Sequence, residues 1–337
     1  MNELSKYGAL GLMVCGALLL AGCERPPMDS EQTGFRGTGI VEINNPRLAG
    51  EPDAIPAALP PAPAGGPPAG SVYQNVQVLG DLSVAEFTRL MTAMTSWVSP
   101  EQGCNYCHIP TNLASDDIYT KVVSRRMLQM TQHINSSWSS HVGNTGVTCY
   151  TCHRGLNVPA QIWTVDPGPK SVRGDFAGWR DGQNIAAPAA AYASLPYDAF
   201  DRFLTNTGDA GIRVNAATAL PTGSTTRDIK DTEWTYSLMM HMSEGLGVNC
   251  TYCHNSRAFA DWEQSSPVRV TAYHGINMVQ DLNVDYLDPL ASALPEHRRG
   301  VLGDAPKANC ATCHQGLPKP LGGAQMAADY PALGSAP

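Results

Sequence analysis

A mainly α-helical chain with long irregular connections and little β-sheet is what this sequence predicts, on three observations. Apolar residues recur at helical spacing ahead of each of four Cys-x-x-Cys-His elements. Those elements form two pairs, starting at Cys104 and Cys149 and then at Cys250 and Cys310. The 337 residues include 32 Gly and 26 Pro, which call for irregular stretches of the kind expected where something other than side chains fills much of the interior.

The first helix opens with the capping box Ser83-x-x-Glu86 and carries Phe87, Leu90, Met91, Met94, Trp97 and Val98 at helical spacing. A second is expected from Ser115 or Asp116 towards Trp138, with Tyr119, Val123, Met127, Met130 and Ile134 on one face. A third spans Thr232 to Glu244 and stops at Gly245 and Gly247. It holds Met239, Met240, His241 and Met242 in succession, so periodicity does not choose among them. A fourth opens at Pro267 and carries Ala272, Ile276 and Val279 towards Leu282. Helix, turn and attachment element thus recur in pairs, which predicts two pseudo-repeated units, residues 72–165 and 231–321. A connecting segment, 166–230, joins them, and 322–337 forms a C-terminal tail.

Only 15% of residues are charged and the net charge is −8, so broad electrostatic attraction to nucleic acid is not expected. Residues 72–160 hold five acidic and five basic side chains and are neutral, whereas the acidity lies elsewhere. A partner docking on 72–160 gains little long-range steering.

At the N-terminus, Lys6 precedes an apolar run from Tyr7 to Ala21 that ends in Leu20-Ala21-Gly22-Cys23. This reads as an export signal, residues 1–23, with a bacterial lipobox. Small residues ahead of Cys23 admit a signal peptidase, and the Cys23 thiol takes a diacylglyceryl group. The alternative is a retained membrane anchor, although the run is shorter than the roughly 20 residues that span a bilayer. Either route places the chain on the periplasmic face of a bacterial inner membrane. Cys15 lies inside the apolar run and reads as a small hydrophobe. Residues 24–71 read as a Pro/Ala/Gly-rich linker, extended along a surface or acting as a tether.

The remaining eight cysteines form Cys104-Asn105-Tyr106-Cys107-His108, Cys149-Tyr150-Thr151-Cys152-His153, Cys250-Thr251-Tyr252-Cys253-His254 and Cys310-Ala311-Thr312-Cys313-His314. Two thiols three positions apart can add to the two vinyl groups of one haem, and the next residue then offers its imidazole to the iron. Zinc also uses Cys-x-x-Cys pairs but has no need of His directly afterwards. With nine His in the chain, chance placement after all four pairs is on the order of one in a million. Four covalently bound c-type haems are therefore expected, with His108, His153, His254 and His314 as proximal ligands.

Beyond these elements the sequence resembles the tetrahaem cytochrome subunit of purple-bacterial photosynthetic reaction centres over about residues 72–332. The resemblance rests on Met94-Thr95-Ser96-Trp97-Val98-Ser99-Pro100, Arg125-Arg126-Met127-Leu128 and Gly146-Val147-Thr148 with the following Cys149 element and Arg154-Gly155. Tyr236-Ser237-Leu238-Met239-Met240-His241-Met242, Gly247-Val248-Asn249-Cys250 and Gly323-Ala324-Gln325-Met326-Ala327 extend it. It implies a multihaem cytochrome c in which three haems take Met opposite the proximal His and the fourth takes a second His. Carried over by spacing, these are Met91, Met127 and Met239 for the first three and His141 for the haem on His314. Met94 is the rival to Met91, and His274 and Met278 are the rivals to His141. His133, His241, His274 and His297 otherwise read as surface or packed side chains, and Arg269 as a surface residue or one facing the reaction centre.

The resemblance further implies a relay, not an enzyme. Electrons enter at the haem on His108 from a soluble periplasmic donor, either a high-potential iron–sulfur protein or a cytochrome c. They leave from the haem on His254 to the photo-oxidised bacteriochlorophyll pair of the reaction-centre core, its L and M subunits. The competing reading is a periplasmic multihaem electron-transfer subunit of a respiratory reductase, which an open iron site would favour.

Overall fold

The computed structural model describes residues 29–32, 41–44, 54–166, 187–205, 211–214 and 227–334. The export signal with Cys15 and Cys23 lies outside them. Among the described residues no helix is long and apolar enough to cross a membrane.

Helix α1, Val84–Val98, starts where its capping box places it. The Glu86 N–H donates to Ser83 Oγ (3.2 Å) and the Ser83 N–H to Glu86 Oε2 (3.2 Å), satisfying two groups that a helix end leaves orphaned. It ends at Ser99, since the following Pro100 disfavours the helical region for the residue before it. Helix α2, Tyr119–Ser137, begins three to four residues later than expected. Asp116 is engaged elsewhere: its carboxylate receives Arg125 (2.9 and 2.7 Å) and Asn75 (2.9 Å), and the Arg125 bond holds it well below the usual carboxylate range. Ser115 Oγ is bound to the Asp117 N–H (3.1 Å) rather than to a helix end. A single helical turn, α3, Ser139–Val142, follows directly and carries His141.

After the short helix α4, Cys149–His153, and the described part of the connecting segment with α5, Ala199–Leu204, comes α6, Ile229–Leu246. It outruns the expected Thr232–Glu244 at both ends. Asp228 caps it by accepting from Lys230 N (2.8 Å) and Asp231 N (3.0 Å), and Gly245 stays inside the helix. The stop is Gly247, at φ +66°, where a Cβ would lie 2.1 Å from the Gly316 carbonyl oxygen; only glycine fits that approach. Helix α7, Val268–Asp281, widens into a π turn over Leu282–Leu287, and the last short helix, α8, is Cys310–His314.

Strands are few. β1, Asp29–Gln32, pairs antiparallel with β2, Val41–Asn44, a hairpin inside the expected linker. β3, Ile162–Trp163, pairs antiparallel with β4, Lys307–Ala308. The Pro-rich stretch is strapped to the surface, because Arg89 donates to the Leu59 and Pro60 carbonyls (2.7 and 2.8 Å) and Leu59 N–H to Tyr330 Oη (3.1 Å).

Three apolar clusters hold these elements. Leu90, Ala93 and Trp97 of α1 pack with Leu128, Cys149, Leu321, Met326, Tyr330 and Leu333, so residues 322–334 cover the first helix rather than trailing free. Trp97 and Tyr330 meet edge to face at 4.8 Å. The largest cluster joins Ile134 and Val147 to Ala199, Phe200, Phe203 and Leu204 of α5, Leu238 of α6, Ile276, Met278 and Val279 of α7 and Leu282 of the π turn. Leu290, Leu294 and Ala305 pack on Tyr119, Val123 and Met127. Asn283, fully buried, ties this frame together: its side chain donates to the carbonyls of Leu204 (2.9 Å) and Ala308 (3.0 Å) and accepts from the Ala308 N–H (2.8 Å).

Asp198, just before α5, is less comfortable. Its Oδ1 has no hydrogen-bond partner among the described residues, and burial pushes its pKa up to about 6. A carboxyl raised in the folded state favours the protonated form there, so the fold gains as pH falls from about 6 to about 4 and loses as pH rises through that window. Asp198→Asn is expected to stabilise the protein at pH 7 by about 1–2 kcal/mol, allowing for the partial exposure of the group. Urea midpoints at pH 7 and pH 4 check this, the difference closing at the lower pH.

Candidate functional site

The four attachment elements adopt two local forms. In the second and fourth, α4 and α8, the helix is one turn long and begins at a capping residue, Thr148 or Asn309. Each ends on a left-handed residue, Arg154 or Gln315, both at φ 49°, followed by a left-handed glycine, Gly155 or Gly316. Those glycines donate their N–H to the C-terminal ends of α1 and α6, Gly155 to Trp97 O (2.9 Å) and Gly316 to Gly245 O (2.8 Å). The first and third elements instead run through 3₁₀ turns, Gly103–Tyr106 and Cys250–Tyr252. His108 N–H donates to Cys104 O and His254 N–H to Cys250 O, each at 2.9 Å.

Each motif histidine is held in the same way. Nδ1 lies against a backbone carbonyl: His153 to Leu156 O and His314 to Leu317 O, both at 2.9 Å, three residues on. His108 reaches Leu113 O (3.0 Å) and His254 reaches Phe259 O (2.9 Å), five residues on. A carbonyl can only accept, so Nδ1 carries the proton and Nε2 is left with its lone pair, the arrangement that metal-binding imidazoles use. Burial pushes His314 down to about 4 and lowers His153 and His254, so these rings are neutral at pH 7, as ligation requires.

One further histidine shares this signature. His141 has Nδ1 2.9 Å from Thr271 O, and burial lowers its pKa. Its ring stands 6.0 Å from that of His314, centroid to centroid, with the two planes at 64°. Metal–imidazole bonds are about 2 Å long, so two rings on opposite sides of one ion stand roughly 6 Å apart. The other four histidines differ. His133 is bonded through Nε2 to Asp281 Oδ2 (2.6 Å) and stacked on Tyr286. His241 is buried edge-on against Phe200, and its Nε2 has no hydrogen-bond partner among the described residues. His274 lies beside Tyr273, and His297 is exposed in the turn Glu296–Arg298. Of the rivals to His141, Met278 is a core residue, 7% exposed.

Met91, Met127 and Met239 are partly buried on α1, α2 and α6, each against a different apolar cluster. Met94 packs against the same cluster as Met91, so packing alone does not separate the two. Arg269 lies over the Trp262 ring at 4.0 Å and donates to Asp261 O (2.9 Å) and Ser265 Oγ (2.7 Å).

The thiols lie where the elements place them. Burial raises Cys107, pushes Cys253 up to about 11, and pushes Cys149 and Cys310 up to about 12, so all four are neutral at pH 7. Elements α4 and α8 meet directly: Arg154 donates to Cys313 O and Gln315 to Cys152 O, both at 3.3 Å. The side chains of Cys152 and Cys313 lie next to each other there, with Cα atoms 4.5 Å apart.

The sequence reading did not foresee the carbonyl locks on Nδ1 or the left-handed residue after α4 and α8. A signal was present in the shared His-x-Gly-Leu that follows both, His153 to Leu156 and His314 to Leu317.

Paired thiols with a following imidazole locked for ligation, on a mainly helical frame, fit a covalently bound haem and define the chain as a c-type cytochrome. Its sequence matches the family described as photosynthetic reaction centre cytochrome C subunit over residues 24–334. It is 54% identical to the photosynthetic reaction center cytochrome c subunit of Rubrivivax gelatinosus, covering 98% of this chain and 90% of that one. The same subunit of Thermochromatium tepidum is 52% identical over 96% and 79% of the two chains, and that of Roseobacter denitrificans 45% identical over 97% and 91%. The chain belongs to the photosynthetic reaction centre cytochrome c subunit family, electron-transfer proteins rather than enzymes.

Proposed function

We propose that the chain carries four c-type haems and relays electrons from a soluble periplasmic donor to the photo-oxidised bacteriochlorophyll pair of a reaction centre. The observation that carries this is the common lock on five of the nine histidines, with four in attachment elements and the fifth, His141, across from His314. Bound haem supplies one-electron exchange at iron; the protein holds it, closes both axial positions and tunes it. Cys104 and Cys107, Cys149 and Cys152, Cys250 and Cys253, and Cys310 and Cys313 form the thioethers. Met91, Met127, Met239 and His141 are the distal ligands. With both faces closed, the iron takes up no reactant, so what remains is outer-sphere transfer.

The two local forms alternate along the chain, first with third and second with fourth, which supports a duplicated two-haem unit. The contact of α4 with α8 supports a reading in which the second and fourth sites are neighbours in the relay. In this reading the haem on His108 receives electrons and that on His254 faces the L and M subunits. Cys23 carries the lipid that anchors the chain on the periplasmic face of the membrane. Because residues 72–160 are charge-balanced, a donor docking through apolar contacts is favoured, such as a high-potential iron–sulfur protein, with a soluble cytochrome c as the alternative. The donation rate is then expected to change little between low and physiological salt, and a steep fall would argue for charge-steered docking instead.

Flash spectroscopy on membranes with and without this subunit tests the proposal. Haem oxidation matched in time by re-reduction of the pair is expected only when the subunit is present. A flash that oxidises the pair and leaves the haems reduced would exclude the role.

A further inference from the structure

Gly275 lies in the middle of α7, where glycine weakens a helix relative to alanine. Its φ is not positive, so the backbone conformation does not call for glycine. The neighbour does. A Cβ at Gly275 would stand 2.5 Å from His141 Cε1, 2.8 Å from Nδ1 and 3.1 Å from Nε2. The imidazole thus lies directly on the helix backbone. One turn earlier, the Thr271 carbonyl that α-helical geometry assigns to the Gly275 N–H also takes His141 Nδ1 at 2.9 Å, using its second lone pair.

We propose that Gly275 is a positioning residue for electron transfer at the fourth haem. Its bare backbone and the Thr271 carbonyl form a seat that holds the His141 ring with Nδ1 protonated, leaving Nε2 for the iron held by His314. The proposal rests on His141 being the distal ligand there. An alanine in the middle of a helix ordinarily strengthens it, so Gly275→Ala separates the two demands: the helix gains, but the ring loses its place. The seat also joins residues far apart in the chain, because His141 belongs to α3 and Gly275 to α7.

The test uses the full haem-loaded protein as parent, Gly275→Ala, His141→Gly and the double variant. Haems per chain are counted by pyridine haemochrome, the bis-imidazole signal is read by electron paramagnetic resonance, and carbon monoxide uptake is read by difference spectrum. Gly275→Ala is expected to keep four haems while losing the bis-imidazole signal, with one haem in four newly binding carbon monoxide. His141→Gly is expected to give the same spectra. If His141→Gly loses the signal and Gly275→Ala keeps it, the seat is refuted and the ligand stands. If His141→Gly keeps the signal, the ligand assignment itself fails and the seat with it. Should Gly275→Ala fail to accumulate, the double variant decides, since its added methyl meets no ring. Yields equal to those of His141→Gly support the seat, and a further loss as large as that seen in the parent background overturns it.

Discussion

Replacing His141 with methionine is expected to raise the midpoint potential of one haem and leave the other three near their parent values. Thioether sulfur favours ferrous iron, whereas a second imidazole, made more basic by its Nδ1–H bond to Thr271 O, favours ferric iron. Axial ligation spans about 0.8 V across haem proteins, so exchange of one ligand of two is expected to move this haem by on the order of 0.1 V. Burial and nearby charge set where each haem starts, but the exchange changes neither. A reductive titration of parent and variant, resolved by wavelength, reads the shift directly. Four unchanged midpoints would mean that His141 is not on the iron, whatever its distance from His314.

The second large effect concerns stability. Lys307 is 2% exposed, and its ammonium donates to Asp304 (2.7 Å), Asp288 (2.9 Å) and Ala305 O (3.1 Å) while lying 5.4 Å from the Trp163 ring centroid. It stands two residues before Asn309, the cap of α8, and its strand β4 pairs with β3. Lys307→Met keeps the stem but strands Asp304, which is largely buried and also accepts from the Val165 N–H (2.8 Å). Breaking a buried pair from one side costs about 3–5 kcal/mol. The partial exposure of Asp288 puts the expected loss near the lower end, about 3 kcal/mol. A fall in the urea midpoint of that size is expected, together with weaker retention of the fourth haem, since β4 leads straight into its attachment element. A variant as stable as the parent would mean that Asp304 finds another partner or water.

The elements that could be read in advance were those decided locally. The Ser83 capping box and the apolar stripe of α1 are short-range features, and that helix begins where they place it. The four attachment elements are short-range too, since their chemistry fixes their spacing. The start of α2 was misread because Asp116 looks like a cap, yet it is claimed by Arg125 and by Asn75, 41 residues away. Within the expected connecting segment, 166–230, the burial of Phe200, Phe203 and Leu204 in the largest cluster depends on partners distant in sequence. His141 could be singled out only by resemblance. Nothing near it in sequence shows that Thr271 and Gly275 receive it, and that information resides in the packing of α3 on α7. Gly275 did carry a hint, since a glycine within an apolar helical pattern asks for a packing reason.

The central claim is that histidine and methionine groups close both faces of every iron, leaving electrons as the sole traffic. It is tested most directly by counting haems per chain with pyridine haemochrome on the purified protein and then exposing the reduced sample to carbon monoxide. The account predicts four haems per chain and a spectrum that the gas leaves unaltered. Fewer than four, or a haem that takes up the gas in the unmodified protein, would contradict it.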